Sequence, residues 1–248
     1  MNRPRVLILR APGTNCDLET AHAFELAGAK AERIHVNRLL ETPRELERFQ
    51  ILCLPGGFSF GDDLGAGRIL GAKMRTHLQQ QLRDFKAAGK LILGICNGFQ
   101  ILLKSGLLLD DDAQTGLPSA TLAWNDSGRY QDRWVTLTVA SQRCVFFQGI
   151  EKMYLPIAHA EGKFVPRDQA TLTQFDAAGQ LALRYVGNPN GAIASVAGVC
   201  DTTGRVCGLM PHPERHVDRT QHPRWTRGDA GPVGDGLQVF QNAVAFWN

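Results

Sequence analysis

The stretch Leu91-Ile92-Leu93-Gly94-Ile95-Cys96-Asn97-Gly98-Phe99-Gln100 leaves this chain few folds to adopt. An apolar run of strand character ends at a cysteine between two glycines, and helical spacing follows over 99–103. Strand, sharp turn and helix are what Gly-x-Cys-x-Gly encodes, the thiol form of the turn that lifts a nucleophilic serine above a sheet edge. At such a turn a Cβ on Gly94 or Gly98 would strike the neighbouring strand or helix. A helix beginning near Asn97 aims free N–H groups at the sulfur and favours the thiolate. That help matters, because an unperturbed thiol, with a pKa of about 8.5, is only a few per cent ionised at neutral pH. A structural cysteine in a tight βα turn would leave the same trace, so the rest of the chain decides.

Around that turn, strand and helix alternate. Runs 6–10 and 51–54 read as buried strands and 31–36 as a further strand, with helical spacing over 18–27 (Asp17 as its N-cap), 44–49 and 68–88. The pattern predicts an α/β fold of three layers, a mostly parallel sheet flanked by helices, with ligands at the carboxyl ends of the strands. After Gly106 the character changes. Extended runs at 134–139, 153–165 and 180–186, and a hairpin of 192–200 with 205–210, add antiparallel strands in the second half. No linker composition and no repeat interrupts the sequence, so residues 1–248 read as a single domain.

Composition narrows the function. A net charge of +3 with scattered basic residues excludes a nucleic-acid surface. No apolar run approaches a membrane span, and the amino terminus lacks a signal peptide, so a cytoplasmic location is expected. The six cysteines show no metal-ligand spacing, and no metal site is expected. Cys200 and Cys207 can face each other across the hairpin, as thiols rather than a disulfide in that compartment.

Two further stretches bear on Cys96. Residues 55–67, PGGFSFGDDLGAG, carry five glycines in thirteen positions, a loop whose backbone must approach something closely. It lacks the Gly-Lys-Ser/Thr ending of a phosphate loop. The other is Pro211-His212-Pro213-Glu214. Residues before proline are pushed extended, so His212 and Glu214 share a face, roughly 6–7 Å apart at the backbone. A thiol nucleophile needs a base and the base an orienter, and these two side chains supply both. His159 is a rival base but lacks the proline bracket, and it reads as pocket wall. His216 and His222 read as surface residues.

With these motifs in hand, the chain resembles the class I, triad-type glutamine amidotransferases, which have a flavodoxin-like core. The matching stretches are PGTNCD (12–17), 55–67, LGICNGFQIL (93–102), PIAHAEGKF (156–164), NPNG (188–191) and GLMPHPERHVD (208–218). GGFSFGD and MPHPER point to the branch serving de novo purine synthesis. The resemblance implies a Cys96 glutamyl thioester, His212 as base and acid, and Glu214 as its orienter. It implies an oxyanion hole from backbone N–H groups at Gly57 or Phe58 and at Asn97. Gln100, His159, Glu161 and Gly162 are the implied contacts to glutamine. It also implies that this chain binds no cofactor, and that ATP and Mg²⁺ belong to a synthetase subunit that takes the ammonia. A small bridging subunit joins the two in some members. Ala160 departs from the family's His-Gly-Glu-Gly, and the 219–236 loop is longer than in compact members. That loop, with Trp225, and the aromatic Phe58 and Phe60 are candidate docking residues. Another amidotransferase or a cysteine peptidase of this fold, or a non-catalytic binding or redox-sensing subunit, are the alternatives.

Overall fold

Strands that are apolar throughout their length need cover on both faces, and here they form the middle of one sheet. In the computed structural model, which describes residues 3–112 and 115–247, the first half builds a parallel unit. It runs β1 (Arg5–Arg10), α1 (Asp17–Leu26), β2 (Lys30–His35), α2 (Val36–Glu41), β3 (Ile51–Leu54), α3 (Arg68–His77), α4 (Gln79–Ala87), β4 (Leu91–Ile95) and α5 (Asn97–Ser105). The second half adds β5 (Ala120–Ala123), β6 (Gln131–Val139), β7 (Lys152–His159), β8 (Lys163–Pro166), α6 (Gln169–Ala177), β9 (Leu183–Val186), β10 (Val196–Cys200), β11 (Val206–Leu209) and α7 (Leu237–Ala245). A nine-stranded sheet runs through both halves in the order β2-β1-β3-β4-β11-β10-β9-β6-β7, and β5 pairs with β8 apart from it. The strands from β2 to β11 are parallel, and β10, β9, β6 and β7 continue antiparallel. Every residue of β3, β4, β10 and β11 is buried. Helices flank the sheet: α5 lies against β3, β4 and β11 with α3 packed on it, while α1 meets α7 through an edge-on contact of Phe24 and Phe240.

This order positions the chemistry. β3, β4 and β11 are neighbours, in register as Leu54↔Gly94 and Leu209↔Ile95. Their carboxyl ends therefore share one rim, where β3 leads into the glycine-rich loop, β4 into Cys96 and β11 into the His212 segment.

Several expectations need correction. The helix expected over 68–88 is two, because the chain turns at Leu78 (φ −123°, ψ 6°). The turn lets α3 lie on α5 while α4 packs on the turn at Pro43–Arg48. Cys16, not Asp17, caps α1, and Asp17 instead binds Arg10 at 2.8 Å and Arg33 at 3.0 Å. Strand β5 and helix α6 leave no pattern in the sequence that predicts them. His216 and His222 are buried, not on the surface: their rings pack 5.7 Å apart, against Trp134 and Tyr154 of β6 and β7. Cys200 and Cys207 are direct cross-strand partners and remain thiols.

Candidate active site

Cys96 stands at the apex between β4 and α5 with φ 52° and ψ −106°, a conformation that costs a non-glycine residue about 1–3 kcal/mol. The turn around it is fixed by backbone contact. A Cβ on Gly98 would lie 1.9 Å from the Leu54 carbonyl oxygen, and one on Gly94 would lie 2.6 Å from that of Gly98. The Cys96 N–H donates to Leu209 O at 2.8 Å, which ties the apex to β11. The Cys96 sulfur sits 3.5 Å from Ala158 O, at the far end of β7.

His212 leaves β11 with φ −106° and ψ 88°, and its N–H donates to Pro156 O at 2.9 Å. The chain then closes into a turn at Pro213–Arg215. The two side chains therefore meet more closely than a fully extended course would bring them: Nδ1 of His212 lies 2.6 Å from Glu214 Oε1. Both residues are buried. Burial penalises the imidazolium, but the Glu214 carboxylate, then the Cys96 and Cys16 sulfurs, outweigh it and hold the ring's pKa well above its ordinary value. With Nδ1 bound to Glu214, Nε2 is buried and has no hydrogen-bond partner among the described residues. It is the ring atom left for a proton carried by the Cys96 sulfur or by a substrate.

His159 has the opposite environment. Burial, then the charge of His212, pushes its pKa down to about 3, so it stays neutral at pH 7. Asn125 donates to the carbonyls of Arg129 and His159, both at 2.9 Å, which turns its Oδ1 to His159 Nδ1 at 3.2 Å and makes Nδ1 the protonated nitrogen. A ring with so low a pKa is a weak proton acceptor, and His159 lines the cleft beside Cys96.

The loop after β3 leaves fewer backbone N–H groups unengaged than the sequence suggested. The Phe58 N–H already donates to Gly13 O at 2.9 Å, so Phe58 is not a free donor. Gly57 and Asn97 remain, the latter at the first position of α5, where N–H groups lack helical acceptors. Gly57 has φ 142°, and a Cβ there would lie 2.7 Å from Gly13 O. Asn97 locks the loop: its Oδ1 accepts from Ser59 N at 3.1 Å, and its Nδ2 donates to Asp62 Oδ1 at 3.0 Å. A cleft of about 190 Å³ opens beside Cys96, walled by Gly57, Phe58, His159 and Glu161, with Asp62 and Trp124. A larger hollow, about 1010 Å³, lies between Arg5, Lys30 and Trp247, and none of its lining residues carries a thiol or hydroxyl.

A CobB/CobQ-like glutamine amidotransferase domain matches residues 3–247. Phosphoribosylformylglycinamidine synthase subunit PurQ of Dehalococcoides mccartyi is 46% identical over 98% of this chain and 98% of its own length. The chain belongs to the PurQ family of glutamine amidotransferases. PurQ of Methanococcus maripaludis is 38% identical over 99% of this chain and 98% of its own. In the structure of PurLQS from Thermotoga maritima, one chain superposes with a TM-score of 0.78 at 33% identity, covering 99% of this chain and 100% of that one.

Within this PurQ-family chain the expected glutamine contacts divide. His159 and Glu161 line the cleft. Gln100 lines it too, but its amide is engaged at both ends, donating to Glu161 O at 2.6 Å and accepting from Asn97 at 3.0 Å. Gly162 is not in the wall: it lies behind His159, where a Cβ would come within 2.3 Å of the imidazole ring. Ala160 needs no positive φ, so its methyl group adds no backbone strain, and its carbonyl accepts from Asn125 N at 2.8 Å. Sequence reasoning missed Cys16, Asp62, Trp124, Asn125 and Arg215. Cys16, Asp62 and Arg215 left a trace, inside PGTNCD, GGFSFGD and MPHPER.

Proposed function

We propose that this chain is the glutaminase subunit of phosphoribosylformylglycinamidine synthase. It hydrolyses glutamine and supplies ammonia to an ATP-dependent synthetase subunit, which converts formylglycinamide ribonucleotide to formylglycinamidine ribonucleotide. The observation that carries the reading is the 2.6 Å contact of His212 with Glu214, just past the end of the strand beside the strained Cys96 turn.

The steps follow from that geometry. Glutamine places its carboxamide over Cys96. With the thiol's proton held on His212 Nε2, the sulfur attacks the carbonyl carbon. The oxyanion gathers at the N–H groups of Gly57 and Asn97, where one donor is worth about 3–4 kcal/mol of barrier. The tetrahedral centre collapses, the C–N bond breaks, and the His212 imidazolium protonates the departing nitrogen to release ammonia. Water then attacks the thioester with His212 as base, and glutamate leaves with the Cys96 thiol restored. Glu214 holds the ring's tautomer and balances its positive form throughout. Glutamine's head group is held in the cleft by Glu161 and the wall at His159.

This chain binds no cofactor in the reading, and ATP with Mg²⁺ belongs to the synthetase, with a small third subunit between the two. Exposed Phe58 and Trp225 offer that partner apolar contact. The test is ammonia release from glutamine by the chain with its synthetase. Cys96→Ala abolishes it. A Cys96→Ala chain that still released ammonia would refute the reading.

A further inference from the structure

One buried thiol beside His212 has no part in those steps. Cys16 caps α1 in the loop after β1, and it is 1% exposed. Its sulfur, a ring nitrogen of His212 and a carboxylate oxygen of Glu214 all lie within 4.8 Å of one another. Cysteine, histidine and glutamate so placed suit a soft divalent cation. The neighbours argue otherwise. Arg215 Nη2 donates to the Cys16 sulfur at 3.1 Å, and its Nε donates to Glu19 Oε1 at 2.9 Å. A metal ion would sit against that fixed positive charge. The thiol's own hydrogen goes to Asn15 Oδ1 at 3.1 Å.

The same sulfur backs the His212 ring. A Cβ built on Gly56 would lie 2.8 Å from His212 Cε1 and 3.0 Å from the Cys16 sulfur, so ring, sulfur and the Gly56 backbone crowd one point. The Cys16 N–H also donates to Gly56 O at 3.2 Å, one residue before the oxyanion donor Gly57. One residue thus touches both the base and the oxyanion loop.

We propose that Cys16, held by Arg215 and through it by Glu19, is a positioning residue that fixes the His212 ring against Gly56 and sets the oxyanion loop at the same time. This rests on the glutaminase reading. The sulfur, joined to a guanidinium that a carboxylate anchors, stops the ring from turning about its own bond, while Glu214 fixes only one edge. Burial pushes the Cys16 thiol up, against the pull of His212, so a neutral sulfur performs this role and no redox step is involved.

The test compares Cys16→Ala and Cys16→Ser with the unaltered chain, each in complex with its synthetase. Loss of positioning costs about ten- to a hundredfold in kcat and leaves KM within about twofold, because the head group is held by Glu161 and the wall at His159 rather than by the loop. Cys16→Ala also moves the His212 limb of the pH–rate profile to lower pH. Cys16→Ser restores most of the loss, since a hydroxyl accepts from Arg215. Arg215→Gln releases the sulfur but also removes a cation near the ring, so it lowers kcat as Cys16→Ala does without the shift to lower pH, and the Cys16→Ala/Arg215→Gln double variant lowers kcat no further. Unchanged kcat and pH profile in Cys16→Ala overturn the proposal. So does a loss that follows only the fraction of folded protein, with the pH limb unmoved. An NMR titration of the His212 ring in the same variants reads the shift without turnover. An unaltered chain inert toward glutamine would therefore end the functional reading while this test still stands.

Discussion

The Cys96 turn works because its neighbours have no side chains to spare. Leu54 O lies where a Gly98 Cβ would go, 1.9 Å away, and backbone on a buried strand cannot give as a flexible side chain can. Gly98→Ala must push α5 off β3 or break the turn. It is expected to cost at least about 2–4 kcal/mol of stability, in the upper range for single substitutions, as read by urea unfolding. A change under about 0.5 kcal/mol would contradict the contact. Glu214→Gln tests the other half of the site. A glutamine keeps the volume but can present N–H to His212 Nδ1, which selects the wrong tautomer and removes the charge that offsets burial of the imidazolium. The expected fall in kcat is about 10²–10⁴, with KM little changed, by steady-state glutaminase kinetics. A variant with kcat within threefold of the unaltered chain would place Glu214 outside the reaction.

At the scale of elements, local patterns were legible and contacts between distant segments were not. The β4–turn–α5 unit shows in sequence because glycine, cysteine and apolar spacing are all local. The break at Leu78 does not, because Leu70, Met74, Leu78, Leu82 and Phe85, all buried, keep helical spacing across it. Helix α6 buries only Thr171, Leu172 and Phe175, a stripe too short to stand out in a nine-residue segment. His216 and His222 looked exposed because their partners, Trp134 and Tyr154, come from strands more than sixty residues earlier. In the same way, nothing local reveals that the Phe58 N–H belongs to Gly13. That bond yields a prediction about elements. The loop after β1 holds the loop after β3 through Phe58 N to Gly13 O at 2.9 Å and Phe60 N to Pro12 O at 2.7 Å. Gly13 has φ 83°, and a Cβ there would lie 1.9 Å from Phe58 O. Gly13→Ala should displace Gly57 from the oxyanion position and lower kcat by about tenfold or more, the loss of most of one donor. The binding of glutamine, read from KM, should change less than kcat. Equal loss in both would mean that the loop shapes the cleft rather than the transition state.

Across the whole molecule, two buried histidines with opposite shifts set where the fold is most stable. His159 is held neutral, with its pKa down to about 3. Between that value and the pKa of about 6.5 of a free histidine, the unfolded chain takes up a proton that the folded chain refuses. Stability from His159 is therefore complete above about pH 6.5 and is lost as pH falls, by up to about 1.4 kcal/mol per pH unit. His216, also lowered by burial, acts in the same direction. His212 is raised, so its contribution is complete below about pH 6.5 and fades as pH rises toward its folded value. The two slopes meet near neutrality, which places the stability maximum there. Urea unfolding at intervals from pH 4 to pH 9 should show a maximum between about pH 6 and 7.5. His159→Asn removes one source of acid loss and should flatten the limb below pH 6.5 while leaving the alkaline limb in place. An acid limb unchanged in that variant would mean that His159 takes its proton in the folded chain, and the neutral wall beside Cys96 would have to be abandoned.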